Sequence, residues 1–170
     1  MPRLRLHLKV LKDPTITTDT AVTAAKSVFA LAGVEVDVVS TTRLTLPKLE
    51  NVHVTRSCQP PGPLSDDQRE LFDQASGIGP NEIAIFFVQS TIPATNGCAQ
   101  HPSSLAAVVV TEACTRWTMA HEIGHLLGLS HAGTSSQLMF KSTSRIKGDP
   151  PGLDASEITA ILKSNLVANP

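Results

Sequence analysis

The 170-residue sequence carries almost no charge imbalance: 14 lysines and arginines stand against 15 aspartates and glutamates, a formal net charge of −1. That removes the basic footprint a nucleic-acid partner would need. No apolar run is long enough to span a membrane, so no membrane partner is expected. The first ten residues alternate rather than forming the continuous apolar core of a secretion signal. A cytoplasmic location is therefore expected unless the sequence is trimmed from a secreted protein. Cysteine is scarce, with only Cys58, Cys98 and Cys114, and the odd count leaves at least one thiol unpaired. None of them forms a C-x-x-C pair, which argues against a cysteine zinc site. Cys98 and Cys114 flank a predicted strand and either meet as a disulfide or remain free buried thiols.

What is present fits one domain over 1–170. The apolar content of 41% and charged content of 17% are those of a globular chain able to bury a core. Leu4, Leu6, Leu8 and Val10 alternate with Arg5, His7 and Lys9, which predicts a strand with one buried face and His7 solvated on the other. Asp13-Pro14 ends it. Val22, Ala25, Phe29 and Ala32 recur at helical spacing over 19–32, with Gly33 as the stop. A second alternating strand covers 34–39, so the two strands are expected to lie parallel around a crossover helix. Residues 51–54 suggest a short strand and Pro60-Pro61-Gly62-Pro63 a loop. Ser65 to Gln68 reads as a capping box opening a short helix to about Ala75. Residues 82–88 are nearly all apolar and should form a central strand covered on both faces. An irregular stretch follows, then another buried strand at 105–110. Near the end, Asp154 and Glu157 form a second capping box. It opens a last helix with Ile158, Ile161, Leu162 and Leu166 as its apolar stripe.

The densest chemistry lies at 121–131, His-Glu-Ile-Gly-His-Leu-Leu-Gly-Leu-Ser-His. On a helix, His121 and His125 are four apart and share one face, the spacing at which two imidazoles bind one zinc ion. Glu122 is rotated about a quarter turn away, too far to be a ligand but near enough to touch a metal-bound water. Gly128 can adopt positive φ, end the helix and bring the chain back so that His131 becomes a third ligand. Three protein ligands leave the fourth zinc position open, the catalytic arrangement. All five fixed positions would coincide by chance only about once in twenty thousand chains of this length, which makes the match far more specific than a bare H-E-x-x-H.

These residues, with Leu138-Met139 a short loop downstream, resemble the metzincin metalloendopeptidases. The resemblance implies an α+β, zincin-like fold. It would have a mixed, mostly parallel twisted sheet, an active-site helix, and a small C-terminal subdomain ending in a helix. The upper subdomain would run to about residue 131 and the lower from about 132 to 170. It further implies one catalytic zinc held by His121, His125 and His131, Glu122 as general base and acid, and Met139 as the Met-turn residue beneath the imidazoles. The residue after the third histidine is commonly Ser, Asp, Glu or Pro in metzincins. Here it is Ala132, which leaves the subfamily unassigned. Some metzincins add a tyrosine after the Met-turn. This chain has none, and Phe140 cannot coordinate metal. Arg56-Ser57-Cys58 bears only a faint resemblance to a cysteine-switch segment, and a structural thiol is the simpler reading.

The implied activity is endopeptidase hydrolysis by a zinc-activated water, with Glu122 moving the proton. The substrate would be a protein or peptide in extended conformation, and the chain a monomer. By resemblance, an edge strand over Gly97, Cys98, Ala99, Gln100 and His101 would pair with the substrate backbone. His101 either lines the cleft or is an ordinary loop residue beside Pro102. Phe140 and Lys141, with Ser142 and Thr143, would shape the pocket for the residue after the scissile bond. There Lys141 either favours an acidic side chain or points to solvent. Two alternatives stand beside this. One is a catalytically silent zinc- or peptide-binding module of the same fold, against which Glu122 argues. The other is a zinc hydrolase of non-peptide esters or amides.

Overall fold

The structure, a computed structural model, describes residues 1–55, 58 and 63–169. The expected loop at Pro60-Pro61-Gly62, and Arg56 and Ser57, lie outside the described residues.

The first strand, β1 (Arg3–Val10), buries Leu4, Leu6, Leu8 and Val10 as its alternation predicts. The helix α1 (Thr18–Phe29) follows, capped by the Thr17 side chain and ended past a 3₁₀ turn by Gly33 at φ +70°. It returns the chain to β2 (Glu35–Arg43), parallel to β1. β2 runs four residues beyond the predicted end. Past a bulge after Leu6, the β-branched Thr41 and Thr42 still find partners on β1.

The main sheet has the order β2-β1-β4-β7-β6, where β4 is Ile83–Val88, β7 is Ala107–Thr111 and β6 is Gly97–Cys98. β1, β2, β4 and β7 are parallel; β6 is antiparallel to β7 and forms one edge. All six residues of β4 are buried, because both faces of the sheet are covered. Ile83, Ile85 and Phe87 pack towards α1, α3 (Thr118–Leu126) and α4 (Ala155–Lys163). Ala84, Phe86 and Val88 pack on the other side against Leu71 and Phe72 of α2 (Asp66–Phe72) and Val52 of β3 (Asn51–His53). Each fully buried Phe, Leu or Ile in these layers contributes roughly 1.5–3 kcal/mol. Both predicted capping boxes are formed, at Ser65/Gln68 and Asp154/Glu157. This is the α+β, zincin-like architecture the sequence implied.

Several local expectations change. The stretch after β4 is not wholly irregular: β5 (Ser90–Ile92) pairs in parallel with β3 as a separate two-stranded sheet. His7 is not solvated; its ring bonds Ser40 Oγ at 2.8 Å and Glu82 Oε2 at 2.8 Å. Leu162 is 44% exposed, so the stripe of α4 rests on Ile158 and the fully buried Ile161. Cys98 pairs with Cys58, not Cys114, across a Cα–Cα distance of 4.8 Å. Cys98 and Cys114 pack on opposite faces of the main sheet, which prevents their union. Cys114 is a buried free thiol. Among the described residues, no helix is long and apolar enough to cross a membrane.

Candidate active site

The α3 helix buries all but one of its nine residues, and Met119, Ala120 and Ile123 anchor it in the larger core. Its start is held by the Thr115 hydroxyl, which accepts from Trp117 N–H. The C-terminus closes as a Schellman motif: Gly128 N–H donates to His125 O at 3.1 Å and Leu129 N–H to Gly124 O at 2.9 Å. Gly128 sits at φ +89°, a conformation that side chains rarely adopt. This reversal places Leu129 O where His125 Nδ1 can donate to it, at 3.0 Å, and carries the chain on to His131.

The three imidazoles converge. Ring centroids are 4.9 Å apart for His121 and His125, 4.8 Å for His125 and His131, and 5.4 Å for His121 and His131. One ligand atom from each lies within 4.8 Å of the others. Tautomers follow from the partners. His121 Nδ1 faces Leu138 O at 2.9 Å and His125 Nδ1 faces Leu129 O, so both must carry the proton there. Each Nε2 is then a bare lone pair, the form a metal needs. Burial supports the same state, pushing His121 down to about 4 and His125 and His131 also below the usual imidazole range. His125 Nε2 and His131 Nε2 stand 3.2 Å apart. Two nitrogens on one tetrahedral zinc at about 2.0–2.1 Å would be about 3.3 Å apart. The donor set therefore fits zinc in chemistry, and the His125–His131 pair fits it in spacing.

Glu122 is only 5% exposed, and burial pushes its carboxyl up to about 8. Gly97 of β6 lies directly against it: a Cβ there would come within 2.8 Å of Glu122 Cγ and 2.9 Å of Oε1. The sheet edge thus meets the helix at the one acidic side chain that the described residues give the cleft wall. That cleft encloses about 610 Å³. His121, Glu122, His125 and His131 form one part of its lining, Thr95, Asn96 and Gly97 another, and Lys141, Ser142 and Thr143 a third, with Cys58 at the rim. The 141–143 wall is tied to α3, since Thr118 Oγ1 donates to Thr143 Oγ1 at 3.2 Å. Asn96 Nδ2 reaches the same hydroxyl at 3.4 Å from across the cleft.

Met139 is fully buried under α3. A Cβ on Gly124 would run into its sulfur and come within 3.2 Å of its Cε, so the glycine of the H-E-x-G-H segment is what lets the thioether approach. Ala132 N–H donates to Met139 O at 2.8 Å, tying the turn to the segment after His131.

Of the remaining candidates, Gly97 and Lys141 line the cleft; Cys98, Ala99, Gln100, His101 and Phe140 do not. Cys98 is in the disulfide, and Ala99 is in the core. Gln100 is buried, bonding Thr55 and, at 2.6 Å, Pro63 O. His101 Nδ1 donates to Pro102 O at 2.7 Å. Sequence reasoning missed Thr95, Asn96 and Cys58, which reach the cleft only through sheet topology and the disulfide.

Together the fold and the three-histidine group resemble those of metzincin metallopeptidases. The model of the matrixin family of peptidases matches residues 65–164, more than half of the chain, and the chain belongs to that family. The cofactor is zinc. Among solved structures, metalloproteinase-II from Bacteroides fragilis superposes with a TM-score of 0.66 at 20% identity, over 95% of this chain and 53% of that one. This chain therefore spans about half the length of that protein. The archaemetzincin from Methanopyrus kandleri gives a TM-score of 0.62 at 16% identity, over 96% of both chains. At these identities the likeness is one of fold. No curated protein matches the chain.

Proposed function

We propose that the protein is a zinc-dependent endopeptidase. In this reading His121, His125 and His131 hold the ion and Glu122 is the general base. The observation that carries it is the buried Glu122 carboxyl in the same cleft wall as three imidazoles whose free nitrogens converge. Zinc, when bound, supplies a Lewis acid that polarises the peptide carbonyl and acidifies water. Glu122 takes a proton from the attacking water and passes it to the leaving amine. Burial raises the proton affinity of this carboxyl, which favours its holding the proton taken from water. The Leu138 and Leu129 carbonyls hold the His121 and His125 rings in orientation. Met139 forms the apolar floor under the site, a role supported by its contact with Gly124.

The substrate is a protein or peptide bound in extended form along the edge at Gly97. Residues 1–170 act as one catalytic domain, with an upper part to about 131 and a lower part from about 132. Leu138, Met139 and Ile161 share a single core with Leu4, Phe29 and Ile83, which supports treating the two parts as one unit. The Cys58–Cys98 disulfide at the cleft rim favours an oxidising compartment over the cytoplasm.

Zinc content and cleavage of a diverse peptide library, measured for the wild type and for Glu122→Ala, test this reading. Both should bind one zinc and only the wild type should cleave. Zinc binding with no cleavage by either protein would favour a silent binding module instead.

A further inference from the structure

We propose that Lys141 is a specificity-determining residue that selects peptides presenting a carboxylate to the 141–143 wall of the cleft. The proposal deepens the peptidase reading, on which its cleavage arm rests.

Lys141 is exposed and, among the described residues, is the one lysine or arginine in the cleft lining. The other non-histidine residues there are small or hydroxyl- and amide-bearing, namely Thr95, Asn96, Gly97, Ser142 and Thr143, with Cys58 at the rim. Among the described residues the only carboxylate in the lining is Glu122, which is buried on α3. Among the described residues no large apolar side chain lines the cleft, so apolar burial there offers a substrate little selectivity. Charge and hydrogen bonding remain.

The charge is not neutralised locally. The segment Lys141-Ser142-Thr143-Ser144-Arg145-Ile146-Lys147 holds three cations and no acid in a chain of net charge −1. Among the described residues none of the three is ion-paired, whereas Arg3, Arg5, Arg43, Arg69 and Arg116 all are. A cation set beside the reacting centre, backed by two more on its own segment and flanked by Ser142 and Thr143 hydroxyls, is complementary to a substrate carboxylate. That carboxylate belongs either to an Asp or Glu side chain or to the peptide's own C-terminus.

The test takes a peptide that the zinc-loaded protein cleaves and prepares Glu/Gln pairs at each position near the scissile bond, all amidated. A further pair differs only in a free or amidated C-terminus. At low salt, one position or the terminus should show a kcat/KM ratio of about two- to fivefold in favour of the carboxylate, as expected for an exposed ion pair. The ratio should approach one at high salt and in Lys141→Ala, and fall below one in Lys141→Glu. Which pair responds identifies the source. Equal rates within every wild-type pair, or a preference that Lys141→Glu leaves intact, would overturn the proposal. The same pairs are titrated by fluorescence anisotropy against zinc-loaded Glu122→Gln, with and without Lys141→Glu. A Kd ratio that the second substitution abolishes supports Lys141 even if no peptide is cleaved, in which case only the peptidase reading falls. Equal Kd values overturn the selection itself.

Discussion

Gly97→Ala probes the meeting of sheet edge and active-site helix with a single methyl group. A Cβ at this position would stand 2.8 Å from Glu122 Cγ and 2.9 Å from both Glu122 Oε1 and Thr118 Cγ2. Ordinary carbon contacts lie near 3.5–4.0 Å, so the strand and helix must part by about 0.7 Å or more. Neither neighbour yields easily. Thr118 is fully buried and its hydroxyl bonds Thr143, while Glu122 is 5% exposed. Overpacking of this kind costs about 1–3 kcal/mol, which for a chain of this size lowers Tm by roughly 2–12 °C. The effect on turnover should be larger if Glu122 is the base proposed above, since displacing a reacting carboxylate by about 1 Å costs up to 100-fold. Steady-state kinetics on a cleaved peptide, with zinc content and Tm on the same sample, should show zinc retained, a modest drop in Tm and kcat down by about 10- to 100-fold. A Gly97→Ala enzyme within twofold of wild type would refute the reasoning, because the contact would then be one that the structure relieves freely.

Other outcomes follow from the same geometry. Gly124→Ala should destabilise the protein despite gaining about 1 kcal/mol of helix propensity, because the new methyl meets the Met139 sulfur. Thermal melts of Gly124→Ala/Met139→Ala should recover part of the loss, and no recovery would mean that the contact is not the cause. Replacing both Cys58 and Cys98 by serine opens a link of sequence separation 40. Loop entropy puts that loss at about 4 kcal/mol, and urea melts showing under 1 kcal/mol would contradict it. Glu82 is held below the usual carboxylate range, first by the Gly79 N–H, then by His7 and Arg5. A group lowered on folding stabilises fully above its unfolded pKa, about 4.3, and loses that contribution as pH falls through the folded value. The stability advantage of wild type over Glu82→Gln should therefore shrink as pH drops below about 4.3, whereas a constant gap from pH 7 to pH 3 would count against the ion pair.

The candidate site was legible because its information is local. Helical spacing sets His121 and His125 on one face, and Gly128 announces the reversal that delivers His131, so neither depends on distant contacts. The buried strand β4 declared itself by composition, and the capping boxes at Ser65 and Asp154 by three-residue spacing. What escaped depends on pairings far apart in sequence. β5 is three residues long in a polar stretch and exists only because β3 lies beside it. The Cys58–Cys98 link needs the knowledge that Cys98 and Cys114 face opposite sides of the sheet. His7 looked solvated because nothing in its own strand reveals that Ser40 and Glu82 flank it. Gly97 was singled out for substrate pairing, yet its closest neighbour is Glu122, a packing constraint that no periodicity encodes.

The central claim is that one zinc on His121, His125 and His131 makes this chain a peptidase. It is tested most directly by adding zinc in steps to metal-free protein while following cleavage of a peptide substrate. Activity should rise linearly and break at one zinc per chain, and His131→Ala should show no such rise over the same range. Cleavage that is independent of zinc, or undiminished in His131→Ala, would contradict it.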